Sequence, residues 1–405
     1  MGEPTPSLSE AIPWAGGWSI KVLIVEPVSS GHHSFYLRLI LRAFAGHQCH
    51  LLTSPVTADL QDMVAADGFT PARVVEIPDG RPGPAVAATV EYVRREPFDL
   101  VFIPFIDLML RHLTKGAARD LGRVAGIWMT PDAMDDRYRF APPIAKRPRI
   151  HGRVHRWLRR PETARHLSDL FFLVQRDVDR LNRIAPDIRG YLLDDPPEAV
   201  SALSASEARE QLGLPSEKQI LLHAGSAGRR KGLGVLLDAY RRVEKHASVL
   251  PFLYRVGPND LKPRHRQQLE AMITQGRAAS VDRYVSTMDL ADAFMACDWV
   301  AMPYRRFRHS SGVLGLARVA NRPVVAPDYG YIGERVRNGQ PGRLYRQGST
   351  RDLARVLATL GDSSTRESAP ELATTSTAQL SVRTAHDAFV ESLSDWMTQI
   401  DPKAR

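Results

Sequence analysis

The stretch from Ser310 to Gly330 constrains this chain more than any other. Ser310, Ser311 and Gly312 make a polar glycine turn, and Val313, Leu316, Ala317 and Ala320 then recur at i, i+3, i+4 and i+7 before the apolar run Val324-Val325-Ala326. That order predicts a turn, an amphipathic helix and a buried strand, the building unit of an α/β sheet. The first amides of a helix have no acceptor within it and its dipole is positive there, so a glycine turn at that point suits a phosphate. An ordinary strand-to-helix turn has the same pattern.

A second unit of this design begins at Gln219. A short apolar run ends at Gly225, Ser226-Ala227-Gly228-Arg229-Arg230-Lys231-Gly232 follows, and Leu236, Ala239, Tyr240 and Val243 then share one helix face. Arginine grips phosphate oxygens in a planar fork and lysine acts as a point charge, so three cations at a helix mouth suit a diphosphate leaving group. One such loop alone reads as a solvated basic turn; two in one half of a chain favour phosphate binding.

With 405 residues, 43% hydrophobic and 24% charged, the chain has room for two full cores, and two domains are expected. A net charge of +9 points to an acidic partner, either a nucleotide sugar, a lipid head group or nucleic acid. Nucleic acid ranks last, because the cations lack interleaved stacking aromatics beyond Trp157. Cys49 and Cys297 are the only cysteines, which gives no disulfide framework and no zinc constellation, and makes a reducing cytoplasm the expected setting. No run approaches the ~20 apolar residues of a membrane-spanning helix.

Residues 1–18, with Pro4, Pro6, Pro13, Gly16 and Gly17, read as a loose leader. An N-terminal Rossmann-like domain is expected over 19–197, with strands at 21–25, 49–53, 74–77, 100–104, 124–129 and 170–174. The break Leu193-Asp194-Asp195-Pro196-Pro197 precedes a helix at 201–212 and a second domain over 198–364, with strands at 220–223, 252–256, 299–302 and 324–326. Residues 365–405 read as a linker and a docked helix carrying the stripe Ala385, Phe389, Leu393, Trp396, Met397 and Ile400. Two facing sheets of this kind put a ligand beyond the carboxyl ends of their strands.

From about Ile220 to Leu360 the chain resembles the GT-B glycosyltransferases of family 4. Gly225 to Gly232 resembles the family's glycine loop ending in Lys-Gly, Val256-Gly257 its next strand-end glycine, and Asp298 to Tyr304 the strand leading to the donor site. Asn321-Arg322-Pro323-Val324-Val325-Ala326 and Gly330 to Val336, with Glu334, continue the pattern, as do Gly339 and Gly342. The resemblance implies a GT-B fold of two Rossmann-like sheets, a nucleotide-sugar donor on the second domain, and sugar transfer with retention and without a metal. Where the family commonly carries two glutamates eight residues apart, this chain places Arg308 and Leu316. The arginine that usually follows the first loop glycine is replaced by Ser226, and the first-domain histidine after the fourth strand by Ile106 or Asp107.

Lys231, with Arg229 or Arg230, is the expected stabiliser of the leaving diphosphate. Gly225, Ser226, Gly257, Ser310, Ser311, Gly312, Val313, Leu314 and Glu334 are the expected donor contacts, with backbone and hydroxyl groups of 310–314 replacing the absent carboxylates. Gly31, His32, His33 and Asp107 lie at strand ends on the acceptor side, and His32, His33 and Asp107 are the candidate bases if the reaction inverts. Asp177-Val178-Asp179 has the spacing of a metal-holding pair, but its surrounding arginines read as a solvated helix face, and no metal is expected. The basic segment 137–165, with Arg153, Arg156, Arg159 and Arg160 among Val154, Trp157 and Leu158, suits either anionic lipid at the inner membrane face or a solvated helix surface. The expected acceptor is a glycan, a lipid-linked glycan or a small molecule. A nucleotide-sugar epimerase or hydrolase, or a non-catalytic nucleotide-sugar-binding homologue, is the alternative.

Overall fold

The computed structural model describes residues 19–28, 32–55, 71–134, 146–244, 249–360 and 375–400. The expected leader 1–18 lies outside them. The chain divides into two compact units, one of residues 1–194 with 387–405 and one of residues 195–386.

In the first unit seven parallel strands run in the order β3-β2-β1-β4-β5-β6-β7. They are β1 (Lys21–Glu26), β2 (Gln48–Thr53), β3 (Arg73–Glu76), β4 (Leu100–Ile103), β5 (Val124–Ile127), β6 (Leu167–Phe172) and β7 (Arg189–Leu192). Central strands such as β1 and β4 are covered on both faces, which is why they read as unbroken apolar runs rather than as alternation. Helices α1 (His32–Ala43), α2 (Pro82–Arg95), α3 (Lys146–Leu158) and α4 (Gln175–Ile184) connect them. Tyr36, Leu39, Ile40 and Ala43, the expected inner face of α1, are all buried.

The second unit holds six parallel strands in the order β10-β9-β8-β11-β12-β13. These are β8 (Ile220–Ala224), β9 (Phe252–Val256), β10 (Ala278–Val281), β11 (Trp299–Ala301), β12 (Val324–Pro327) and β13 (Gly342–Tyr345). Between them run α5 (Ala205–Gln211), α6 (Leu233–Val243), α7 (Pro263–Thr274), α8 (Thr287–Ala296), α9 (Gly312–Val319), α10 (Gly330–Arg337) and α11 (Thr350–Leu360). The helix expected from 201 begins at Ala205, because Ser204 caps it, accepting the Glu207 amide while the Glu207 carboxylate accepts the Ser204 amide.

Both sheets are doubly wound, and each reverses direction between its first and fourth strands, β1 and β4 or β8 and β11. Ligands of open α/β sheets bind at that reversal, beyond the carboxyl ends of the strands. The final helix α12 (Thr375–Thr398) returns to the first unit, where Phe389, Leu393, Trp396 and Met397 join the core of Phe44, Phe102 and Phe171. No helix among the described residues is long and apolar enough to cross a membrane.

Candidate functional site

At the reversal in the second sheet, the loops after β8 and β11 meet on glycines that cannot carry a side chain. Gly232 caps α6 with φ +74°, and a Cβ there would lie 1.8 Å from the Pro303 carbonyl oxygen. Gly257 has φ +133° and abuts Gly225, whose carbonyl oxygen would be 2.5 Å from an added Cβ. Gly225 in turn has φ +107° and faces the Lys231 stem, with Cε 3.2 Å from the Cβ position. These contacts fold the loop so that Lys231 doubles back over the strand end.

The Lys231 ammonium donates to the Tyr304 hydroxyl and lies 4.3 Å from the centre of that ring. Tyr304 is 2% exposed, and its oxygen lies 3.2 Å from Ser311 Oγ. An ammonium has only donors, so the hydroxyl accepts from Lys231 and its own proton is directed to Ser311. The Leu314 and Gly315 amides return to the Ser311 carbonyl at 2.8 and 3.2 Å, while those of Gly312 and Val313 have no backbone acceptor among the described residues. The start of α9 thus offers two free N–H groups beside the hydroxyl that Lys231 reaches. Tyr304 was not singled out by sequence reasoning; its signal is a tyrosine placed directly after the strand and its closing proline.

The other expected donor residues divide. Gly312 is exposed, with open space where a Cβ would stand, whereas the Leu314 side chain is 5% exposed and belongs to the core. Val313 also packs against that core. Ser310 is turned aside, its hydroxyl donating to Asp195 at 2.6 Å. Ser226 is half-buried within its loop. Arg230 stacks its guanidinium 4.9 Å from the Phe307 ring centre, and Arg229 is exposed with no partner among the described residues. Glu334 is exposed, one turn into α10. Arg308 donates to the Tyr329 hydroxyl at 2.5 Å.

Two buried groups that the sequence reading did not single out support the loop. His223 is fully buried, with Nε2 3.3 Å from the Lys231 carbonyl oxygen, and burial lowers its pKa from 6.5 to about 4, so it is neutral at ordinary pH. Arg255 is also fully buried; it donates to the carbonyls of Gly257 and Pro258 and to Asp282 Oδ1 at 2.7 Å. The Pro258 carbonyl accepts the Ala227 amide at 3.0 Å, which ties the glycine loop to the end of β9.

In the first unit, His33 Nδ1 is 3.0 Å from Oε1 of the fully buried Glu26, and its ring lies 4.0 Å from that of Phe105. Burial pushes the Glu26 carboxyl above its usual range, against the hydrogen bond and charge of His33. His32 sets its ring edge-on to Tyr36 at 4.8 Å. Asp107 accepts the Met129 amide at 2.9 Å, and the Thr130 amide and hydroxyl at 2.7 Å each. It therefore ties the turn after β4 to the turn after β5; burial raises its pKa while those three donors pull the other way. Gly31 lies outside the described residues.

The Asp177-Val178-Asp179 stretch is helical, as expected, but Asp177 is buried rather than solvated, with Arg180 Nη1 3.5 Å away. Asp179 faces the other way and accepts from Gln175 at 2.8 Å. Of the basic segment, 137–145 lies outside the described residues. In α3 Val154 and Leu158 are buried in the first unit's core while Arg156 and the following Arg159 and Arg160 are exposed. Val154 and Leu158 are thus used by the fold, while the charges of Arg156, Arg159 and Arg160 face outward.

Two doubly wound parallel sheets, with the final helix packed into the first, define the GT-B class. Solved structures agree on that fold. Anabaena Alr3699/HepE in complex with UDP and glucose aligns over 94% of this chain and 98% of its own, with a TM-score of 0.64 and 17% identity. WaaG, a glycosyltransferase involved in lipopolysaccharide biosynthesis, aligns over 94% of this chain and 100% of its own, with a TM-score of 0.65 and 16% identity. Within the second unit, residues 218–363 match the family described as Glycosyl transferases group 1.

Among curated relatives, a D-inositol 3-phosphate glycosyltransferase of Jonesia denitrificans is 28% identical over 213 residues, covering 51% of this chain and 49% of that protein. A GDP-mannose:glycolipid 4-beta-D-mannosyltransferase of Xanthomonas campestris pv. campestris is 37% identical over 108 residues, covering 26% of this chain and 30% of its own. The chain thus spans about half the length of the first of these relatives and less of the second.

Proposed function

We propose that this protein is a glycosyltransferase that moves a sugar from a nucleotide-diphosphate donor to a hydroxyl of a glycan, lipid-linked or small-molecule acceptor. The observation that carries the reading is the meeting of Lys231 and Ser311 on the Tyr304 hydroxyl, beside the free amides of Gly312 and Val313. A departing diphosphate needs a fixed cation and oriented donors that require no reorganisation at the moment of bond cleavage, and these groups are held in place before any ligand arrives. The similar proteins named above, an inositol-phosphate glycosyltransferase and a glycolipid mannosyltransferase, support the choice of reaction. In this reading Lys231 meets the diphosphate, Arg229 and Arg230 add charge at its entrance, and the first unit receives the acceptor.

Lys231 and these arginines serve the leaving group as a metal ion serves it in other sugar transferases, so transfer should persist in EDTA. Attachment to an anionic membrane through Arg156, Arg159 and Arg160 would be electrostatic and lost in salt, because Val154 and Leu158 are committed to the core. Flotation with acidic liposomes at low and high salt tests that contact.

The function is tested by thermal shift against UDP, GDP, ADP and their sugars, followed by product analysis with the stabilising donor. Stabilisation by one nucleoside diphosphate and a new glycoside in the presence of acceptor are expected. Donor breakdown at the same rate without acceptor would replace the transferase with a hydrolase or epimerase. Binding without turnover would leave a nucleotide-sugar-binding homologue.

A further inference from the structure

Arginines collect without acids on two loops of the second unit. Arg229 and Arg230 follow β8, Arg305 and Arg306 follow β11, and all four are exposed. The Arg305 amide donates to the Arg230 carbonyl oxygen at 2.9 Å, so the two pairs stand on touching backbones. None of the four forms an ion pair among the described residues, whereas Arg209, Arg264 and Arg337 of the same unit each meet an aspartate at 2.6 or 2.7 Å. Asp260, whose Oδ2 lies 3.3 Å from where a Cβ on Gly228 would stand, pairs with none of the four either. Like charges gathered in this way repel one another, and an anion held among them relieves the repulsion.

The loop that carries Arg305 and Arg306 is held at both ends. On one side is the bond to Arg230, whose guanidinium also lies 4.9 Å from the Phe307 ring centre. On the other, Arg308 donates to the Tyr329 hydroxyl at 2.5 Å and its carbonyl accepts the Tyr331 amide at 3.2 Å. Gly330 packs beneath that turn so closely that a Cβ would lie 2.6 Å from the Phe307 carbonyl oxygen. Between these anchors Arg306 has φ +52°, a left-handed conformation that glycine adopts freely and arginine does not. Its side chain forms no hydrogen bond or ion pair among the described residues that would explain an arginine at this strained position. Strain of this kind persists only where the surroundings over-determine it, and it gathers at ligand clamps.

In the reading above, Lys231 and the amides of Gly312 and Val313 serve the diphosphate, which in a nucleotide sugar carries only two charges. The cations on the adjoining loops exceed what a nucleotide with a neutral sugar brings. All of them are arginines, whose planar fork matches a carboxylate through two parallel hydrogen bonds. We propose that Arg305 and Arg306, with Arg229 and Arg230 beside them, bind a carboxylate on the transferred sugar, so that the donor is a nucleotide-linked uronate. The proposal rests on the transferase reading and concerns the second unit alone. Lys231 keeps its role at the diphosphate, and the arginine collar sets the choice of sugar.

The test uses the full chain and the nucleoside diphosphate selected by thermal shift, and compares by calorimetry the glucuronate or mannuronate of that nucleotide with its glucose or mannose. The uronate is expected to bind wild type at least about 10-fold more tightly than the neutral sugar. In the double variant Arg305→Gln, Arg306→Gln that ratio should fall to about one. Arg306→Gly relieves the positive φ, so it should melt no lower than wild type and yet lose most of the preference; it carries the test should the double variant fail to fold. Arg318→Gln removes an exposed charge further along α9, outside the collar, and should keep the ratio. Equal binding of the two sugars, tighter binding of the neutral one, a preference that survives in the collar variants, or one that Arg318→Gln abolishes as fully overturns the proposal. A neutral sugar that is preferred and transferred leaves the transferase reading standing and removes this one. A chain that no nucleoside diphosphate or nucleotide sugar stabilises overturns both.

Discussion

The carbonyl oxygen of Pro303 occupies the space where a side chain on Gly232 would begin, 1.8 Å from the Cβ position. Gly232 also has φ +74°, a left-handed conformation that costs a non-glycine residue roughly 1–2 kcal/mol before any clash is counted. Gly232→Ala must therefore separate the loop after β8 from the loop after β11. We expect a loss of more than about 2 kcal/mol in urea unfolding, with donor-induced stabilisation abolished. A variant as stable as wild type that binds donor normally would show that the two loops do not need this contact.

Tyr304→Phe isolates the hydroxyl from the ring. The aromatic face under Lys231 and the packing against Phe307, at 5.5 Å between centroids, both survive the change. What disappears is the oxygen shared by Lys231 and Ser311, a loss of about 0.5–1.5 kcal/mol or roughly 2–10-fold in donor KM or kcat. Lys231→Ala removes the cation itself and should cost about 10²–10³ in kcat with folding little changed. Steady-state kinetics on both variants check the ordering, which fails if the tyrosine variant is the slower.

The doubly wound halves were legible in the sequence because central strands such as β1, β4 and β11, covered on both faces, are apolar runs closed within a residue or two by a proline. Three strands were not. Arg189–Leu192, Ala278–Val281 and Gly342–Tyr345 are edge strands, half-exposed and mixed in composition, and no apolar run announces them. At the site, Lys231 was readable from its loop, but the residue it reaches lies on another loop and came only with the fold. The Ser310 hydroxyl was expected to face a ligand and instead meets Asp195, a partner 115 residues away. Glu26 was open to inspection as a lone acid closing Val22-Leu23-Ile24-Val25, where only a partnered or functional carboxylate is tolerated.

His223 makes the second unit acid-sensitive. In the unfolded chain it titrates near 6.5 and in the fold near about 4, so within that window the unfolded state binds a proton that the folded state refuses. Stability is therefore unaffected above about 6.5, falls as pH drops towards 4, and levels off below. The span of 6.5 minus about 4 corresponds to about 3 kcal/mol. Glu26 works in the opposite sense, because burial raises its pKa and the folded state then takes up its proton first. Urea midpoints of wild type and His223→Gln between neutral pH and pH ~4 separate the two effects. The variant is expected to be the weaker at neutral pH and to close the gap on acidification; parallel curves would remove His223 from the account.

Trp396 holds the final helix to the first unit through two kinds of contact at once. Its ring is 2% exposed and lies edge-on to Phe171 at 4.9 Å and tilted to Phe102 at 5.9 Å. Its Nε1 donates to Asp169 Oδ1 at 3.2 Å, a buried carboxylate that also holds Arg123 at 3.1 Å and Arg189 at 2.8 Å. Trp396→Ala should therefore cost about 3–5 kcal/mol, the range for deleting a buried aromatic. Trp396→Phe keeps most of the packing but strands one lone pair of an already well-supplied carboxylate, and should cost less than half as much. Chemical denaturation of the two variants gives the comparison. Equal losses would mean that the indole N–H, rather than the packing, fastens this helix to its sheet.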